Sequence, residues 1–151
     1  MYFLGIDLGS SSVKVALVDT ASGITAGLVQ VPDEEMSMQS PQKGWAEQDP
    51  ETWWVMVCQG IDKVRSKTGI SPDKFRGVGI AYQLHGLVVV DQNGAPGPPS
   101  IIWCDSRAVE IGQEAYEDLG SDYSDTHLLN APGNFTASKL KWVQRHEADT
   151  Y

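Results

Sequence analysis

The chain has 151 residues, with 20 Asp and Glu against 11 Lys and Arg, a formal net charge of −9 and a pI of about 4.6. This acidity argues against a protein that binds nucleic acid or an anionic membrane surface, and no apolar run approaches the roughly 20 residues of a membrane span. Two cysteines cannot form a disulfide framework and the N-terminus has no basic leader, so we expect a soluble, cytoplasmic protein with the length of one domain.

The first 31 residues predict three strands joined by short turns. Apolar runs occupy residues 2–6, 13–18 and 24–31, and polar or small residues separate them. Consecutive strands joined by tight turns pair antiparallel. The sequence therefore predicts a three-stranded antiparallel meander at the start of the chain.

A long amphipathic helix is predicted after a polar loop at residues 32–44. Asp49 is suited to the N-cap, Pro50 to the first helical position, and apolar residues recur at helical spacing to about residue 67, before Gly69. Further apolar runs at 78–81, 87–90 and 100–103 predict short strands.

Two more helices are expected in the last third of the chain. Asp105 or Ser106 would cap the first of them, which Gly120 would end. The second would start at Thr136 or Ala137, with Leu140 and Val143 facing inward. Strands alternating with helices indicate an α/β or α+β domain.

The polar turn after the first strand is a candidate site for an anion. Asp7 ends the strand and the turn Gly9-Ser10-Ser11-Ser12 follows, with Lys14 just beyond. Backbone amides and hydroxyls in such a turn can converge on a phosphate, Gly9 allows a close approach, and Asp7 is suited to Mg²⁺ or its waters. The alternative is a plain hairpin turn, in which Gly and Ser serve conformation alone.

The segment after the strand at 78–81 is a second candidate site. It carries Gln83 and His85 between two glycines, and both side chains can donate to and accept from hydroxyl groups. The alternative is a loop whose histidine is satisfied within the protein.

Two other segments combine an aromatic side chain with carboxylates. Trp45, Glu47 and Gln48 would suit a polyol, but for each of them a structural role is favoured, with Trp45 as a hydrophobic staple on the following helix. Trp103 ends the strand at 100–103 and Asp105 follows it, and helix capping alone would account for Asp105.

Four ordered motifs resemble the FGGY family of carbohydrate kinases: DLGSSSVK at 7–14, WAEQDPETWW at 45–54, GIAYQLHG at 79–86 and WCDSR at 103–107. Within that family, Gln83-Leu84-His85 and the run TASKLKWVQRHE at 136–147 are most similar to xylulokinases. The resemblance implies a ribonuclease-H-like (actin-like ATPase) α/β fold with a mixed sheet. It also implies transfer of the ATP γ-phosphate to a ketose, D-xylulose first, with ATP and Mg²⁺ as cofactors.

The resemblance also implies roles for individual residues. Asp7 would lie near Mg²⁺ and the transferred phosphate, and the phosphate side would include Gly9, Ser10, Ser11, Ser12 and Lys14. The sugar side would include Gln83, Leu84, His85, Trp103 and Asp105. Many xylulokinases carry Met where this chain has Leu84, and the similar volume should preserve the contact.

The family's general-base aspartate and adenine-binding domain lie further along than residue 151. We therefore expect residues 1–151 to be the sugar-binding N-terminal part of the first kinase domain, without turnover by themselves. Two other functions stay open, an actin-like ATPase with no sugar substrate and a non-enzymatic sugar-binding module. Within the family, glycerol or gluconate are alternative substrates, and a homo-oligomer is compatible with the sequence.

Overall fold

The computed structural model describes residues 1–128 and 132–151, which form two compact units. One unit contains residues 1–37 and 51–83, and the other contains residues 38–50 and 84–151. The strands are β1 (Tyr2–Leu8), β2 (Val13–Asp19), β3 (Thr25–Val31), β4 (Glu47–Gln48), β5 (Phe75–Tyr82) and β6 (Ser100–Ile101). The α-helices are α1 (Pro50–Thr68), α2 (Val109–Leu119), α3 (Ser121–His127) and α4 (Thr136–His146).

The first unit is a mixed sheet of order β3-β2-β1-β5. β1 pairs antiparallel with β2, and β2 pairs antiparallel with β3, so the predicted meander is confirmed. β5 then adds parallel to β1 after the long crossover through α1. The mixed α/β architecture expected from the resemblance is confirmed.

Helix α1 packs closely on one face of this sheet. Its predicted bounds agree with Pro50–Thr68, and Gly69 ends it with a left-handed φ of 67° while its N–H donates to the Arg65 carbonyl. The approach is close at Gly60, where a Cβ atom would lie 2.6 Å from Val15 Cγ2. Buried side chains of β1, β2, β3 and α1 form the core here, namely Leu4, Ile6, Val13, Val15, Leu17, Val29, Val31, Trp53 and Val64.

The second unit is built from short pairings and the last three helices. β4 pairs antiparallel with β6, and isolated bridges join Leu87 to Ile101 and Val90 to Pro96. The predicted strand at 87–90 is thus reduced to bridges, and the one at 100–103 is shortened to Ser100–Ile101. No helix in the described part of the chain is both long and apolar enough to cross a membrane.

Two local predictions for this unit were wrong, and one helix was not predicted. Helix α2 starts at Val109 with Ala108 at its N-cap, so neither Asp105 nor Ser106 caps it. Helix α3 was not predicted because Tyr123 is the one aromatic or apolar residue among its seven, which leaves no apolar period to detect, and only Ser124 is buried. On α4, Leu140 is 40% exposed and its neighbour Lys139 is fully buried.

Candidate functional site

The turn between β1 and β2 brings Asp7 and Lys14 together. The two residues are direct partners in the antiparallel register, and Lys14 Nζ lies 3.4 Å from Asp7 Oδ2. Their side chains are 53% and 49% exposed. An exposed ion pair contributes little to stability because water screens both charges. Both groups therefore remain accessible to a charged ligand.

The geometry of the turn explains why residue 9 is glycine. Its N–H donates to the Ser12 carbonyl at 3.0 Å, and a Cβ atom on residue 9 would lie 3.0 Å from that same oxygen. The turn thus needs glycine for its closure, and this amide is used within the turn. For Gly9 the observation favours the hairpin alternative, and its phosphate role stays a prediction.

The three serines of the turn differ in their environments. Ser11 is exposed, Ser10 is half-buried and Ser12 is 6% exposed. The Ser11 carbonyl accepts a hydrogen bond from the Met36 amide at 2.8 Å, which ties the turn to the loop after β3. Of the three hydroxyls, that of Ser11 is the most open to a phosphate group.

Asp7 is the carboxylate that the resemblance places beside Mg²⁺. No group of three or more His, Cys, Asp or Glu side chains suited to a metal occurs among the residues that the structure describes. Mg²⁺ commonly keeps several waters and takes one or two carboxylates together with nucleotide phosphates. A single exposed carboxylate fits that mode of binding and does not fit a cage made of protein alone.

Gln83 follows β5 with an unsatisfied side chain. Its N–H donates to the Leu8 carbonyl at 3.0 Å, which holds the end of β5 beside the end of β1. Both polar atoms of its side-chain amide are buried and have no hydrogen-bond partner among the described residues. A buried amide left in this state costs about 1–3 kcal/mol. A hydroxyl group or a water is the natural partner for it.

Leu84 and His85 are displayed on the surface by an unusual backbone. His85 has a φ of 63°, in the left-handed region that non-glycine residues seldom occupy, and Leu84 is 62% exposed. The imidazole stacks on Phe135 with ring centroids 5.0 Å apart and planes inclined by 8°. Residues held in such backbone conformations cluster at binding sites, where the surrounding structure supports the strain.

Asp105 belongs to a buried ion-pair cluster. It is 2% exposed, and its carboxylate accepts hydrogen bonds from the Ala46 N–H at 2.6 Å and from Arg107 Nη2 at 2.8 Å. Arg107 Nη2 also donates to Glu47 Oε1 at 2.6 Å. Both carboxylates are thus satisfied within the protein. The contact of Asp105 with a sugar stays a prediction, and Trp103, at 47% exposed, is the more accessible of the pair.

Aromatic rings enclose the guanidinium of this cluster. Arg107 Cζ lies 3.8 Å from the Trp45 ring centroid, and Trp45 meets Trp142 edge-on at 5.2 Å. Burial disfavours the charged guanidinium, but hydrogen bonds and charge from Asp105 and then Glu47 outweigh it and raise the pKa of Arg107. Trp45 and Glu47 also line a cavity of about 250 Å³. The ring contacts described for Trp45 are with Arg107 and Trp142, so its role as a staple on helix α1 stays a prediction.

The comparisons with known proteins decide the family. Residues 2–151 match the model of the N-terminal domain of the FGGY family of carbohydrate kinases. The chain belongs to that family. It is 35% identical over 149 residues to a xylulose kinase of Klebsiella pneumoniae and 34% identical over 152 residues to an L-xylulose/3-keto-L-gulonate kinase of Escherichia coli. These alignments cover 99% of this chain and 29% and 30% of the relatives.

The solved structures agree with this assignment. A xylulose-type kinase from Brucella ovis superposes with a TM-score of 0.87 at 32% identity, covering 99% of this chain and 30% of that one. The FGGY resemblance and the ribonuclease-H-like fold expected from the sequence are confirmed. The FGGY chain spans less than a third of the length of the relatives it matches.

Two residues that the structure singles out had no predicted role. Arg107 lies within the WCDSR motif, and its paired carboxylates at 47 and 105 are visible in the sequence only as separate charges. Lys139 lies four residues before the buried Val143 on α4, so helical spacing could have placed both on one face. Because lysine is almost never fully buried in proteins, the sequence pattern alone did not indicate that Lys139 is buried.

Proposed function

We propose that this chain is the sugar-binding N-terminal part of an ATP-dependent pentulose kinase that converts D-xylulose to D-xylulose 5-phosphate. The observation that carries the proposal is the family match over residues 2–151, together with relatives named xylulose kinase at 30–35% identity. The relative named L-xylulose/3-keto-L-gulonate kinase is almost as similar, so L-xylulose is the second candidate substrate. Use of ATP makes the cytoplasm the expected compartment.

The reaction is a phosphoryl transfer in line. The terminal hydroxyl oxygen of the ketose attacks the γ-phosphorus, the bond to the β–γ bridging oxygen breaks, and ADP leaves. The hydroxyl proton passes to a general base, which we place in the part of the longer protein beyond residue 151. Nothing in this step requires a covalent enzyme intermediate.

The hairpin of β1 and β2 would serve the phosphate side of the site. Lys14 supplies a point charge, and the Ser11 hydroxyl is a short donor at the open end of the turn. Asp7 would hold Mg²⁺ together with the nucleotide, and the ion would neutralise charge on the phosphates. The half-exposed Asp7–Lys14 pair would have to part, at little energetic cost, when such a ligand binds.

The segment after β5 would serve the sugar side. The unsatisfied Gln83 amide and the displayed His85 ring can each donate to or accept from hydroxyls. Leu84 and Trp103 are exposed apolar side chains that suit the carbon skeleton of a ketose. Hydroxyl epimers are separated by such directed hydrogen bonds, which leave a buried partner unpaired when the wrong sugar binds.

We expect D-xylulose to perturb residues 83–86 and Trp103 when it is titrated into the ¹⁵N-labelled chain. His85→Asn should weaken this binding at least tenfold because it removes the imidazole, while Asn tolerates the left-handed backbone. The matched control is His127→Asn, since His127 is exposed on α3 and its ring contacts Tyr123. Equal affinities for the two variants would contradict the proposed sugar site.

A second assay tests the proposed extent of the active site. The 151-residue chain with ATP, Mg²⁺ and D-xylulose should release no ADP above background, because the general base and the adenine site are proposed to lie elsewhere. Sustained ketose-dependent turnover would show that proposal to be wrong. Thermal stabilisation by ATP without any response to ketoses would favour an actin-like ATPase instead.

A further inference from the structure

Lys139 is a lysine with no exposed surface. Its ammonium group, on helix α4, donates to the His85 carbonyl at 2.7 Å, to the Ile102 carbonyl at 2.9 Å and to Asn134 Oδ1 at 3.0 Å. An ammonium has three N–H donors, so each proton has a partner. The three acceptors are neutral oxygens from three separate segments of the second unit.

Burying the ammonium charge of Lys139 costs free energy, so a buried lysine at this position indicates a role that an apolar residue could not fill. Burial lowers the pKa of Lys139 to about 8, against the opposing charges of Asp105 and Cys104, while Arg107 lowers it further. An apolar side chain of similar volume would fill the same space without a desolvation penalty. What the apolar side chain could not do is hold two backbone carbonyls at once.

Those two carbonyls adjoin the proposed sugar contacts. The first belongs to His85 itself, whose left-handed backbone needs support from its surroundings. The second belongs to Ile102, which directly precedes Trp103. A rotation of the peptide unit after His85 would change the backbone that orients the imidazole. A rotation of the peptide unit between Ile102 and Trp103 would likewise redirect the indole ring.

Helix α4 reinforces the same segment through other contacts. Thr136 Oγ1 donates to the Gly86 carbonyl at 3.1 Å, and Phe135, just before the helix, stacks on His85. The N-terminal end of α4 thus holds successive groups of the segment 85–86. Lys139 is the member of this set that also reaches the segment before Trp103.

We propose that Lys139 is a positioning residue that orients His85 and Trp103 for a ketose by fixing the carbonyls of His85 and Ile102. It acts through the backbone and does not touch the substrate. The inference rests on the proposed function, since without a sugar at these side chains the same bonds would serve the fold alone.

The test compares Lys139→Met with Lys141→Met on the same helix. Lys141 is exposed and its Nζ donates to Gln144 Oε1 at 2.7 Å, so it controls for loss of a lysine from α4. Lys139→Met should speed amide hydrogen exchange of residues 85–87 and 102–103 at least tenfold, shift the His85 ring resonances away from their Phe135-stacked values, and weaken D-xylulose binding at least tenfold. Lys141→Met should do none of these.

The outcomes separate the inference from the proposed function. Normal D-xylulose binding and normal exchange in Lys139→Met would overturn the inference while leaving the sugar site intact. If the parent chain itself binds no ketose, the proposed function has failed first, and the parent titration reveals this before any variant is made.

Titration of the unsubstituted chain provides a second test if Lys139→Met does not fold. Above pH 8 the folded ammonium loses a proton and one of its three bonds, so D-xylulose affinity should fall between pH 7 and 9.5. Global stability should not fall for this reason, because the unfolded lysine, with its higher pKa, binds more protons there and the linkage raises stability as pH rises from about 8 to 10.5.

Other ionisable groups near Lys139 could also change the D-xylulose affinity as the pH rises. Asp105, Cys104 and Arg107 are the groups whose charges act on the Lys139 ammonium, and the measurement is made with Cys104→Ser so that the thiol does not contribute. The His85 imidazole lies beside its own carbonyl and is followed separately by its ring resonances. An affinity that stays constant from pH 7 to 9.5 would overturn the inference.

Discussion

Arg107→Met should lower the free energy of unfolding by about 3–5 kcal/mol, because it leaves two carboxylates without their cation in a buried cluster. The Arg107 side chain is 2% exposed, and those of Asp105 and Glu47 are 0% and 13% exposed. Methionine keeps apolar contact with Trp45, so the loss reports mainly the missing charge and hydrogen bonds. Urea denaturation followed by tryptophan fluorescence measures it.

The matched control for this prediction is Arg145→Met. Arg145 makes an equally regular two-bond pair with Glu114, at 3.1 and 2.7 Å, but the two side chains are 41% and 53% exposed. Water already solvates these charges, so the denaturation midpoint should stay close to that of the parent. Similar losses for the two arginine variants would mean that burial does not set the strength of the 47–105–107 cluster.

Gly112→Ala should destabilise the chain by about 3 kcal/mol or more, although alanine is by itself the better helix former. A Cβ atom at residue 112 of α2 would overlap both the Cα and the N of Gly133, and would lie 2.6 Å from the Pro132 carbonyl carbon. These are backbone atoms of a short 3₁₀ turn, Pro132–Asn134, and cannot move aside as a flexible side chain would. Thermal unfolding of the variant measures the loss.

Gly79→Ala is the control for Gly112→Ala. No heavy atom lies within 4 Å of a Cβ atom built on Gly79 in β5, so the stability should change by less than about 1 kcal/mol. Because Asn134 belongs to the 3₁₀ turn and accepts from Lys139, Gly112→Ala should also disturb the proposed sugar side. A helix-stabilising effect of Gly112→Ala would show that the close contact of α2 with residues 132–133 is absent in solution.

The sequence predictions were correct where the interactions that determine the structure are between residues close together in the chain. The meander and α1 depend on alternation, helical spacing, the Asp49–Pro50 start and the Gly69 stop, and all of these act within a few residues. The family followed from four ordered motifs. The roles of the predicted site residues stay predictions, although the structure gives most of them a defined environment.

The predictions that were wrong concern groups satisfied by distant partners. Asp105 looked like a helix cap because its local context offers one, but Ala46, 59 residues away, supplies an N–H to its carboxylate. Leu140 was predicted to face inward, yet its neighbour Lys139 is the buried residue, and the acceptors of Lys139 lie 54 and 37 residues away. Local pattern cannot show that a charge will find three oxygens in the interior.

The sequence by itself determined the sheet order of the meander, the helix that covers it, and the FGGY family. The tertiary structure alone decided which polar groups are buried and what they hold: Arg107 between two carboxylates, and Lys139 beneath His85 and Ile102. The physical reason is that periodicity and capping are properties of neighbouring residues. A buried charge is stable only when the whole fold places its partners around it.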